Sequence, residues 1–89
     1  MNTSFLLLAR YESPVVPLEK VCADYLNLSA KKAQEMASLN KLPLPTFRMN
    51  DSQKAPRLVH LSDLAEYIDS QRAKAKQEWL RSQVGGSQP

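Results

Sequence analysis

Apolar residues fall along this chain in patterns of different period. Phe5 to Ala9 is one continuous apolar run, too short to fix a period of its own. Leu18, Val21, Cys22 and Tyr25 recur at spacings of three, one and three, which draws one stripe along a helix. Ala33, Met36 and Ala37 place a second small stripe in a segment, Ala30 to Asn40, that is otherwise polar and helix-friendly. Leu64, Ile68, Gln71, Ala75 and Trp79 continue a three-or-four spacing down a long last segment.

The punctuation between these stripes predicts the elements. Pro17 suits the first turn of a helix, and Glu19 lies near its positive end. In Asn27-Leu28-Ser29 the asparagine tolerates a left-handed turn and Ser29 is a good N-cap for the next helix. Asn40 is the left-handed residue that closes it. Pro43 and Pro45 then push Leu42 and Leu44 out of the helical region. Thr46–Met49 and Arg57–Leu61 are strand-like, and the polar, lysine-bearing stretch Asn50–Pro56 between them has the chemistry of an exposed hairpin tip. Ser62 is expected to cap the last helix, whose acids come early and bases late, in accord with its dipole. Ser4–Tyr11 fits a strand or a short helix, and the strand is the preferred reading, with Glu12-Ser13-Pro14 as its turn and Val15-Val16 briefly extended.

Helix, tight turn, helix, hairpin, helix is the order of a small winged helix-turn-helix. The expected fold is therefore α+β, mainly α, with a two-stranded wing, an extra N-terminal strand and a long C-terminal helix. Residues 1–84 form a single domain and 85–89 a disordered tail. Eighty-nine residues bury only roughly 60–65% of their unfolded surface, too little to enclose a deep substrate pocket. The lone Cys22 cannot form an internal disulfide, and no apolar run is long enough to span a bilayer. A cytoplasmic, bacterial location, with the protein on the nucleoid when bound, is the expectation.

Net charge is only +3, but its distribution is uneven. Lys31, Lys32, Lys41, Arg48, Lys54 and Arg57 face only Glu35 and Asp51 in the same stretch, whereas from Ser62 to Val84 four bases and four acids cancel. Lys31 and Lys32 sit in the first turn of a helix, where cations oppose the dipole, and an anionic partner would account for them. The candidate nucleic-acid contacts are Ser29, Lys31, Lys32, Gln34, Glu35 and Ser38 on the second helix. Arg48, Gln53, Lys54 and Arg57 follow on the hairpin. The bland alternative for each is an ordinary solvated surface. His60 alternates with Val59 and Leu61 and reads as structural. No second histidine or cysteine completes a metal site, no cofactor is expected, and the chain is not expected to be an enzyme. Trp79 lies beyond the expected core and marks either an oligomer contact or a fold-back onto the N-terminal apolar run.

With these residues laid out, the chain resembles the pyocin activator (PrtN) family of small prophage-type regulators. The resemblance rests on the opening Met1 to Tyr11, on Val16 to Tyr25, on Leu42-Pro43-Leu44-Pro45 and, most specifically, on Ser52 to Asp69. The outline is also similar to excisionases and to MerR-like and AlpA-like winged helices. Two departures stand out: small residues between Ser29 and Leu39, where base readout would occur, and Asn40 in place of a closing glycine. The resemblance implies a sequence-specific double-stranded DNA-binding regulator of phage-derived genes, an activator above all. The alternatives are an excisionase that bends attachment-site DNA and, further off, a protein-interaction module. Self-association as a dimer or an array on DNA, and contact with RNA polymerase or an integrase, follow as expected partnerships, with no membrane partner.

Overall fold

A computed structural model of the chain describes residues 2–87, with side chains described through Gln83. Helix α1 spans Thr3–Tyr11, strand β1 Val15–Pro17 and helix α2 Leu18–Val21, which runs into one π-helical turn, Cys22–Leu26. Helix α3 spans Ala30–Ser38, strand β2 Leu58–His60 and helix α4 Leu61–Ser87. Of the expected tail, residues 85–87 continue α4 and residues 88–89 lie outside the described residues. The chain is thus mainly helical, with one small antiparallel sheet and a long final helix.

The expected N-terminal strand is a helix. Asn2 caps it by accepting a hydrogen bond from the Phe5 amide at 2.7 Å, Arg10 sits in its last turn, and Glu12 ends it in the left-handed region at φ 56°. A short apolar run takes its conformation from what it packs on. Leu7 is buried against the core, while Thr3 Oγ1 donates to Asp69 Oδ1 of α4 at 2.5 Å. Phe5, Leu6 and Leu8 remain about half exposed on its outer side.

The expected hairpin is also rearranged. Strand β2 pairs over three residues with β1, in the register Val15↔His60, Val16↔Val59, Pro17↔Leu58, and only briefly with Thr46–Met49. That stretch contributes a single bridge, Phe47↔Leu58, with both backbone hydrogen bonds made at 3.0 and 2.7 Å. The brief extension expected at Val15-Val16 is therefore half of the sheet. Pro17 ends β1 and precedes the first helical residue, Leu18, whose amide donates to Arg57 O at 2.9 Å. A proline without an N–H is tolerated there because Pro17 ends its strand.

The first stripe buries as predicted through Leu18, Val21 and Cys22, all fully covered. Tyr25 does not follow them: the π-turn adds a residue per turn and swings it to a 36% exposed position. Asn27 then turns left-handed at φ 53°, and Ser29 Oγ caps α3 through the Lys32 amide at 3.1 Å. At the other end Asn40, φ 54°, closes α3. Its amide donates to Ala37 O and that of Lys41 to Met36 O, the two bonds of a Schellman cap. Ala33 and Ala37 face the core, where Leu18, Val21, Val59 and Leu64 meet.

Helix α4 is capped two residues earlier than expected. Its first residue is Leu61, and His60, not Ser62, is the cap, with His60 Nδ1 accepting from the Ser62 amide at 3.0 Å. The structural reading of this histidine holds in that form.

Candidate nucleic-acid interface

The α2, π-turn and α3 segments hold the outward face of α3 apart from the core. With Ala33 and Ala37 buried, Lys31, Lys32, Gln34, Glu35 and Ser38 are all exposed, as the spacing predicts. Ser29 spends its hydroxyl on the cap and Ser38 donates to Glu35 O at 2.8 Å, so neither hydroxyl is a free arm.

The loop between α3 and β2 is polar and internally tied. Ser52 bonds through its amide to Asn50 Oδ1 at 2.9 Å, and Lys54 through its amide to Ser52 Oγ at 3.1 Å, two side-chain turns that set the tip. Arg48 Nε donates to Ala55 O at 3.0 Å and pins the two sides of the loop together. Arg57 Nη1 donates to Thr46 Oγ1 at 3.3 Å, while its Nε is buried without an acceptor. Both arginines are half-buried and serve the loop's own closure. Gln53 and Lys54 are exposed.

These two regions meet. Gln34 from α3 and Arg48, Gln53, Lys54 and Arg57 from the loop line one cavity of about 320 Å³. Half of the residues singled out from sequence therefore converge on one concavity, and Lys31 and Lys32 belong to the same α3. Sequence reasoning missed Glu19, which lines the cavity from α2 and sets a carboxylate among the cations. Its place in the first turn of a short helix read only as a dipole complement.

A second polar group went unseen because its members are distant in sequence. Asp24 on the π-turn accepts from Tyr11 Oη at 2.6 Å and pairs with Arg10 Nη2 at 3.2 Å, and the Arg10 guanidinium lies over both the Tyr11 and Tyr25 rings. Burial, then the bond to Asp24, pushes the Tyr11 hydroxyl well above the ordinary phenol range. Burial likewise raises the Cys22 thiol. The cluster fastens α1 to the π-turn.

Trp79 is 58% exposed and does not fold back on α1. Among the described residues no group of three His, Cys, Asp or Glu side chains could hold a metal ion. None of the described helices is long and apolar enough to cross a membrane. No curated protein and no solved structure matches the chain. The family described as Pyocin activator protein PrtN matches residues 3–75, the span that contains the cavity, the sheet and the buried half of α4. The chain belongs to the pyocin activator (PrtN) family.

Proposed function

We propose that the chain is a sequence-specific double-stranded DNA-binding activator of phage-derived genes, acting by binding and not by catalysis. Family membership points to regulation of phage-related genes. In the proposed reading α2, the π-turn and α3 form the helix-turn-helix, and the Lys41–Arg57 loop serves as the wing. The observation that carries this is the shared cavity. The outward side chain of α3 best suited to adenine, Gln34, opens onto the same concavity as three loop cations. A phosphate oxygen entering there would meet Lys54 and the Arg57 side chain at the cavity wall. Recruitment of RNA polymerase, or of an integrase if the site is an attachment site, is the proposed downstream step.

The test is a titration of Lys54→Ala and Gln34→Ala on the protein's own upstream DNA and on random DNA at several salt concentrations. Loss of Lys54 weakens both and lowers the salt slope by roughly one. Loss of Gln34 weakens cognate binding by about 1–3 kcal/mol and spares random DNA. Equal affinity of wild type for both DNAs, with no response to either substitution, sinks the proposal. Lys54 is the better probe than Arg57, whose removal also cuts the Thr46 tie. A promoter reporter run beside an excision assay separates activation from recombination control.

A further inference from the structure

The core-facing stripe of α4 does not stop where the core does. Leu61, Ala65 and Ile68 continue as Arg72, Ala75, Trp79 and Ser82, with spacings alternating four and three throughout. The heptad spacing is unbroken, with Ala75 and Trp79 as the apolar positions of its projecting half and Arg72 and Ser82 as the polar ones flanking them. Its first half is covered: Leu61 and Ala65 are 4% exposed. Every residue from Asp69 to Gln83 is exposed. Helix α1 begins at Thr3, bonded to Asp69, and Trp79 lies about 15 Å further along the axis of α4. A depression of about 370 Å³ between Asn2, Thr3 and the α4 residues Asp69, Arg72, Ala73 and Lys76 marks the step.

From this geometry we infer that the projecting half of α4 is a self-association surface whose occupant is the same helix of a second copy, running antiparallel. The seam residues select that partner and that direction. An antiparallel two-fold that sets Trp79 against the partner's Ala75 also sets Arg72 against the partner's Ser82. The largest side chain then faces the smallest, and the guanidinium faces a hydroxyl oxygen that can accept from it. A parallel pairing would stack tryptophan on tryptophan and arginine on arginine in the same seam. The antiparallel contact is isologous and closes at two copies.

Its strength is limited by size and charge. Two tryptophans of roughly 150–250 Å² each, with the flanking stems, give a seam at or below the roughly 1,200 Å² of stable interfaces. The projecting halves carry Arg72, Lys74, Lys76 and Arg81 against Glu78, so like charges meet. The dimer is therefore a dissociating one that tightens as salt screens this repulsion. It stands whether or not the chain binds DNA.

Sedimentation velocity without DNA, over a broad range of protein and salt concentrations, tests it. Wild type shifts from monomer to dimer with concentration, and more readily at high salt. Trp79→Ala weakens the dimer by roughly thirty-fold or more, as loss of an interface anchor does. Ala75→Trp, which sets tryptophan against tryptophan, weakens it too, and the exchange Ala75→Trp with Trp79→Ala restores it. Both substituted positions are on an exposed face, so circular dichroism stays unchanged. A wild-type monomer under every condition overturns the inference. So does a strengthened dimer for Ala75→Trp alone, or failure of the exchange to rescue. A monomer that loses only DNA affinity on Trp79→Ala would overturn it too, and would make this half of α4 a nucleic-acid contact.

Discussion

The segment where β1, α2, β2 and the first turns of α4 meet, and the loop from Lys41 to Arg57, lie side by side yet are held by different forces. In the first, Leu18, Val21, Val59 and Leu64 are fully buried and the side chains at the centre are apolar. In the second, closure rests on Arg48, Asn50, Ser52 and Arg57 bonding within the loop, and only Leu44 is buried nearby. The core and the candidate interface are thus held by separate residues. A basic surface can change its contacts here without unfolding the domain, because its side chains are not the ones that hold the core.

The substitution that breaks this division most strongly is Leu64→Ala. It empties the centre of the core and costs about 2–5 kcal/mol, enough to remove most of a small domain's stability. Urea denaturation measures it, and a midpoint unchanged from wild type would show that the core lies elsewhere. Tyr11→Phe probes a third kind of tie, the polar cluster, and costs about 0.5–1.5 kcal/mol near neutral pH through the lost bond to Asp24. It also changes the pH response. Because the folded state raises the Tyr11 hydroxyl above its ordinary 10.0, the fold favours the neutral form. That contribution is complete below pH 10 and is lost as pH rises past it, with Cys22 adding a loss of the same sign from its ordinary 9.0 upward. Stability measured against pH should therefore fall less steeply on the alkaline side for Tyr11→Phe than for wild type. The smallest global effect is expected for Arg48→Ala, within about 0.5 kcal/mol, but trypsin should then cut at Lys54 faster as the loop loosens. A fall in stability comparable to that of Leu64→Ala would mean that loop and core are one unit.

The features legible in the sequence were those decided locally. Asn27, Ser29 and Asn40 each act through their own backbone or a bond three residues away, and all three sit as their chemistry predicts. The stripe Leu18, Val21, Cys22 and the outward set on α3 follow from helical period alone. What failed depended on partners remote in the chain. Phe5 to Ala9 carries no period, and its helix is chosen by α4, although Asn2 three residues before Phe5 was a capping signal in plain view. Thr46–Met49 does meet β2, at the one bridge Phe47↔Leu58, but the longer partner of β2 is Val15–Pro17, a pairing that no short-range pattern announces. Tyr25 broke from its stripe because a π-turn shifts the helical phase by one residue. The candidate site shows the same split. The α3 residues were placed by periodicity, whereas the inward use of Arg48 and Arg57 and the presence of Glu19 emerge only from the folded loop.

The pairing of β1 with β2 has a consequence for how the chain reaches its fold. Everything from Leu18 to Arg57, the whole candidate interface included, lies inside the segment that this small sheet closes. Closing so long a segment costs chain entropy before any sheet bond repays it, whereas α2, the π-turn and α3 can form from neighbouring residues. Assembly is therefore expected to run from the helical pair outward, with the sheet as the late step that brings the start of α4 under the core, an order that φ-values measured across α2, α3 and β2 would check. The basic loop is then expected to acquire its shape last, since its one bridge, Phe47 to Leu58, needs β2 already in place. The loop half of the candidate interface is thus expected to be the latest to set and, by the same reasoning, the first to come loose.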